Sequence, residues 1–333
     1  MVYPEFLKPN DTIGVTATST GVTEIEDIER LEDAYKNLEH LDYKVKETDN
    51  VRKNKHFVSS DAVTRAKEFM DLWEDTDVKA IITATGGEFL MEILPYLSAE
   101  KIKNSSPKWV EGYSDTSLLL YYLTTNFDIA TLHSVNVKSY SMDPAPKCIE
   151  NTLNILKGNI VAQESFPLYE KEKINSREYN LTEKVVYKHL YNKNEDVIKG
   201  RIIGGCIDAL STLFGTPLDN TKNFVNKFPE GVIWYIDNYE LSIMALYRVF
   251  WQMKQAGWFD NINGILIGRT GISKEVWDLD YETMLHNALD DLHVPVIYDV
   301  DIGHLPQQFA IINGSLATFT YSNGKGKLTQ QLL

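Results

Sequence analysis

Cysteine is nearly missing from this 333-residue chain: only Cys148 and Cys206 occur, neither in a CxxC pair nor beside a histidine. That scarcity excludes a disulfide framework and a clustered zinc site, and leaves both thiols as small core residues. Basic charge is also short. With 33 Lys and Arg against 47 Asp and Glu the formal charge is −14, and no basic run interleaved with aromatics offsets it. The sign is wrong for a phosphate-backbone binder, so nucleic acid is not an expected partner. No window approaches the roughly 18 apolar residues of a membrane span. Met1 to Asp11 has no basic segment leading into an apolar one. A cytoplasmic protein without a membrane partner is expected. No GxGxxG follows a strand-like segment, no repeat or low-complexity stretch occurs, and no cofactor or metal is called for.

What is present is 43% hydrophobic and 24% charged residues, a globular balance in a chain long enough for two domains with separate cores. The first third alternates strand and helix patterns: Thr12 to Ala17, Tyr43 to Glu47 and Val78 to Ala84 read as strands, and Ile25 to Leu38 and Ala62 to Trp73 as helices. Such alternation predicts an α/β fold whose N-terminal parallel sheet is flanked by helices, with ligands beyond the carboxyl ends of the strands. Three of those ends carry small, polar or glycine residues: Thr18-Ser19-Thr20-Gly21, Thr85-Gly86-Gly87, and Ser114 after Lys108 to Tyr113.

The stretch Trp109 to Ser117 is the most informative of these, a buried strand delivering Ser114 to a sharp turn before the apolar helix Leu118 to Leu123. A serine so placed points its hydroxyl out of the sheet, and the next amide, at a helix start, can receive an oxyanion. Ser114-Asp115-Thr116 equally fits an ordinary helix N-cap. Gly86-Gly87 can bring an amide close to a ligand as one half of an oxyanion hole, or can simply form a tight turn.

The pattern loosens from about Lys138 to Lys199, where Asp143-Pro144-Ala145-Pro146 is followed by a short helix, Ile149 to Leu156, and a polar stretch, Gln163 to Asp196. The expected domains are therefore 1–150, a connector at 151–199, and a C-terminal α/β domain at 200–333 with a small β element near its end. Strands are predicted at Gly231 to Ile236, Gly264 to Gly268 and Val294 to Val300, and helices at Ile207 to Phe214, Leu241 to Ala256 and Tyr281 to Leu292. Among seven histidines, His304 stands out because it follows a buried strand and Gly303. Asp237 likewise ends its strand. A serine from one domain with an acid and a histidine from the other would compose a triad, the acid fixing the imidazole tautomer and the imidazole taking the serine proton.

Taken in order, several segments resemble the LD-carboxypeptidase family of serine peptidases, which also contains the microcin C immunity peptidases. They are Lys8 to Ala17, Gly86-Gly87 with Leu94-Pro95-Tyr96-Leu97, Gly112 to Thr116, Gly200 to Gly205, Gly215-Thr216, Ala256 to Phe259, Gly264 to Gly268 and Ile302-Gly303-His304. The resemblance runs collinearly from residue 8 to about 320. It implies a two-domain α/β peptidase, a Ser-His-Glu triad split across the domains, and a homodimer. Residue by residue it implies Ser114 as nucleophile, the amides of Gly87 and Asp115 as oxyanion hole, and His304 as base. Asp237 stands where the family usually has Glu, with Glu240 three residues later as the alternative acid, and Thr85 replaces the usual Arg or Ile. The implied substrate is a muropeptide tetrapeptide losing its terminal D-alanine, or an aminoacyl or peptidyl sulfamoyl-adenylate whose purine would stack on one of Tyr169, Tyr179, Tyr187 and Tyr191. The carboxypeptidase reading is preferred. The Asp237 substitution keeps a third possibility in view, a non-catalytic binding protein on the same fold.

Overall fold

A computed structural model of the chain describes residues 1–172, 177–272 and 275–333. The polypeptide divides into two units. The first holds Met1–Val161, Ala310–Gly314 and the pair Arg177 and Glu178; the second holds Ser315–Leu333 and nearly all of residues 162–309.

In the first unit a six-stranded sheet has the order Ile311–Asn313, Thr131–His133, Trp109–Gly112, Val78–Thr83, Thr12–Thr16, Lys44–Glu47. All neighbours pair in parallel except Ile311–Asn313. The inner strands read as almost unbroken apolar runs because helices cover both faces. The helix Ile25–His40 buries Leu31, Ala34 and Leu38 and turns its acids outward, the one-sided pattern of a surface helix. Ser117–Phe127, by contrast, is buried from Ser117 to Thr125. After Thr12–Thr16 the chain goes to one side, to Lys44–Glu47, and then to the other, to Val78–Thr83. Between those two departures lies the crevice where open α/β sheets bind ligands.

The second unit contains an eight-stranded sheet ordered Gln163–Glu164, Lys325–Gln331, Leu316–Ser322, Glu195–Cys206, Val232–Asp237, Ile262–Gly268, Val296–Val300, Lys188–His189. Four central strands run parallel, and Cys206 stands in register with Asp237, as Gly268 does with Val300. Their carboxyl ends therefore meet on one edge. The stretch expected as a connector divides between the units. Its helix, Lys147–Leu156, lies in the first, whereas Gln163–Glu164, Leu168–Glu170, Leu181–Lys184 and Lys188–His189 form strands of the second; residues 173–176 lie outside the described residues. Cys148 and Cys206 are buried and form no disulfide. Among the described residues no helix is long and apolar enough to cross a membrane.

Glu111, in the strand that leads to Ser114, is fully buried and accepts the Tyr140 hydroxyl on both carboxyl oxygens at 2.9 Å. Burial pushes its carboxyl up to about 8, against the pull of Tyr140 and the Val135 amide. The folded protein thus keeps a proton that the unfolded chain releases near the ordinary 4.5, so stability falls as pH rises from about 4.5 to about 8. Glu111→Gln is expected to flatten that fall, by on the order of a few kcal/mol across the window. Thermal melts of parent and variant at about pH 5 and about pH 8 measure it; parallel shifts in the two proteins refute it.

Candidate active site

At the end of Trp109–Gly112 the chain turns at Ser114, whose backbone is left-handed with φ 61°. A side chain in that region costs roughly 1–2 kcal/mol, and such strain concentrates where a hydroxyl must be presented sharply. Ser114 opens a single 3-10 turn, Ser114–Thr116, and the helix proper starts at Ser117 with Thr116 in the cap position. The cap positions of these two elements fall on Tyr113 and Thr116, so Ser114 stands in neither. Gly86 passes directly beside the serine. A Cβ on Gly86 would sit 2.9 Å from both Cβ and Oγ of Ser114 and 3.6 Å from the Asp115 amide nitrogen. The Gly-Gly segment and the serine turn are therefore one locality, and only glycine leaves room for the hydroxyl. Gly87 (φ 150°) faces the hydroxyls of Ser19 and Thr20.

The Asp115 side chain holds this locality together. Its Oδ2 accepts from Ser19 Oγ at 2.6 Å and from the Leu90 amide at 2.9 Å, while Ser19 Oγ also accepts from the Phe89 amide at 3.3 Å. Burial raises the Asp115 carboxyl, and Ser19, Leu90 and the charge of Arg65 oppose the rise. Arg65, wholly buried, donates to the carbonyls of Thr18, Phe89 and Ser60, each at 3.0 Å. One side chain thus ties the ends of the first and third strands. Ser19 belongs to one of the three strand ends singled out in the sequence, though no role was assigned to it there, whereas Arg65, on a helix, carried no signal.

In the second unit Asp237 ends its strand with no exposure, and its Oδ2 lies 2.8 Å from Nδ1 of His304. Burial lowers the His304 imidazole, but the carboxylates of Asp237, Asp208 and Glu240 outweigh it and hold the ring above its ordinary value. Gly303 makes the contact feasible. With φ 94°, it leaves a space where a Cβ would fall 2.0 Å from Asp237 Oδ1. Glu240 is exposed, and it does not start a helix: that helix spans Ile243–Gln255 and is capped by Ser242, whose side chain accepts from the Ala245 amide.

Behind His304, Arg269 anchors the loop through Nη2, which donates to the carbonyls of Leu305 at 3.0 Å and Gln307 at 2.9 Å. The same guanidinium pairs with buried Asp301, which also accepts the Tyr187 hydroxyl and, at 2.9 Å, the Phe166 amide. Arg269 and Asp301 escaped the sequence reading although each directly follows a buried strand, which was the available signal. Of the candidate purine-stacking tyrosines, Tyr187 is buried in that network, Tyr191 packs by its edge against His189 and His286, and Tyr169 lies under Arg269 at 4.5 Å. Tyr179 is half-buried. The other histidines are elsewhere engaged or exposed. His133 is buried at the end of its strand, His189 lies 3.2 Å from Asp196 and His286 2.9 Å from Asp290, and His40, His56 and His293 are exposed.

Family models described as the LD-carboxypeptidase N-terminal and C-terminal domains match residues 13–134 and 199–319. The microcin C7 self-immunity protein MccF of Escherichia coli is 25% identical over 98% of this chain and 95% of its own length. A probable murein peptide carboxypeptidase of Bacillus subtilis (strain 168) is 23% identical over 94% and 90%. The crystal structure of an MccF-like protein from Bacillus anthracis str. Ames superposes with a TM-score of 0.84 at 24% identity, covering 100% of both chains.

Proposed function

Because the chain belongs to the LD-carboxypeptidase family, we propose that it is a serine peptidase that removes the terminal D-alanine from a muropeptide tetrapeptide in the cytoplasm, as a homodimer serving peptidoglycan recycling. The observation that carries this reading is the left-handed Ser114 at a strand-to-helix turn, flanked by a glycine that leaves its hydroxyl clear. Ser114 Oγ attacks the amide carbonyl while His304 Nε2 takes its proton. The Gly87 and Asp115 amides receive the oxyanion. His304 then returns the proton to the departing amine of D-alanine, Asp237 stabilises the imidazolium at Nδ1, and water releases the acyl group by the same steps.

A second reading, hydrolysis of an aminoacyl or peptidyl sulfamoyl-adenylate, is supported by the likeness to MccF, for which a structure with aspartyl sulfamoyl adenosine is known. The peptide reading is preferred because Tyr187, Tyr191 and Tyr169 are each already engaged by neighbouring side chains. Incubation with tetrapeptide and with an aminoacyl sulfamoyl adenylate, followed by mass spectrometry, is expected to yield free D-alanine. Turnover of the adenylate alone would transfer the assignment to the second reading, and turnover of neither would leave a binding protein.

A further inference from the structure

Asp208 lies just past the end of the strand Glu195–Cys206, and its carboxylate is occupied by three consecutive amides: Tyr239 N at 3.0 Å, Glu240 N at 2.8 Å and Leu241 N at 3.0 Å. Hydrogen bonds to a charged acceptor are stronger than those between neutral groups. Three of them convert a short connection after Asp237 into a fixed joint. Within that joint the Tyr239 ring stacks on the His304 imidazole, with centroids 4.2 Å apart and planes 26° from parallel, although the tyrosine is 49% exposed. A half-exposed ring has little packing of its own to keep it there. Its backbone must supply the constraint.

We propose that Asp208 is a positioning residue for His304: it pins the 239–241 loop so that Tyr239 closes one face of the imidazole while Asp237 holds its Nδ1 edge. The functional consequence rests on His304 being the base of the proposed hydrolysis, but the geometry is testable without turnover. The ionisable groups around the ring are Asp237, Asp208 and Glu240 from the strand ends, Cys206, whose thiol donates to Asp208 at 3.5 Å, and Arg269 on the carbonyls of the His304 loop. Of these, the Asp208 carboxylate both adds to the field that raises the imidazole and fixes the stack. Loss of its charge therefore lowers the His304 titration and moves the acidic limb of activity to lower pH.

The test is an NMR titration of the histidine rings in the full chain, with His304 assigned by its disappearance in His304→Gln. Asp208→Asn and Asp208→Ala are expected to lower the His304 midpoint. Asp208→Ala should also abolish the ring-current shift that Tyr239 imposes on the imidazole. Tyr239→Leu should remove that shift and reduce kcat about tenfold with KM little changed, and Tyr239→Phe, which keeps the ring, should recover both. A folded Asp208→Ala with unchanged midpoint and ring-current shift overturns the proposal. If that variant does not fold, an unchanged midpoint in Asp208→Asn overturns it instead. Should the parent hydrolyse nothing, the proposed activity fails while the two NMR readings still decide the positioning role.

Discussion

Ser114→Ala is expected to lower amide hydrolysis by several orders of magnitude while the melting temperature stays within about 2 °C of the parent. The argument begins with the backbone. Ser114 sits at φ 61°, a conformation that alanine and serine tolerate equally poorly, so the exchange neither adds nor relieves strain. Nor does it change a cap residue, since the cap positions of the 3-10 turn and of the helix after it are Tyr113 and Thr116. The hydroxyl also lies in contact range of Gly86, beside the Asp115 amide, where it has room to be approached. What the substitution deletes is the nucleophile. Residual turnover would then come from binding and oxyanion stabilisation alone. The measurement is kcat/KM on the substrate found by mass spectrometry, paired with a thermal melt. A folded variant that turns over at the parental rate sinks the covalent mechanism.

Much of the candidate site was legible in the sequence because its residues lie where periodic pattern stops. Buried runs such as Val232 to Ile236 and Val296 to Val300 announce parallel strands, and position past them singles out Asp237 and His304 as candidates, to which the family resemblance then gives roles. Residues that act by reaching across the fold leave no such trace. Arg65 looks like any cation on an amphipathic helix, yet it is buried and binds three carbonyls from three different segments. The strand Glu195–Cys206 was half hidden for a different reason. Residues Glu195 to Arg201 pair with Leu316–Ser322, where alternation with Glu195, Lys199 and other outward polar residues resembles a surface connector. Only Arg201 to Cys206, paired with Val232–Asp237, carry the continuous apolar signature. Helix boundaries shifted too. Glu240 reads as a helix-start acid, but Ser242 caps the helix and Asp208 holds the amides before it.

Asp237→Asn is expected to lower the rate by roughly three to four orders of magnitude through the wrong imidazole tautomer, while Glu240→Gln costs little. Asp237 is unexposed at the end of a strand whose register with Cys206 fixes its position, and it already lies 2.8 Å from His304 Nδ1. The shorter acid therefore reaches the ring without help. Glu240 acts on His304 only through its charge, from an exposed position, where solvent screens it. Restoring the longer acid is not expected to help: Gly303 leaves no room even for a methyl group beside Oδ1, so Asp237→Glu must push its extra methylene into Gly303 or the imidazole. Its activity should fall below that of the parent. The same reasoning gives a pH signature. Asp237 is the foremost of the carboxylates that raise the His304 imidazole, so in Asp237→Asn the residual activity should keep its acidic limb at lower pH than the parent. Rate–pH profiles of the three variants decide the assignment. A large loss in Glu240→Gln with little in Asp237→Asn would move the acid to Glu240, and a sharp gain in Asp237→Glu would mark the native aspartate as a weakened triad member.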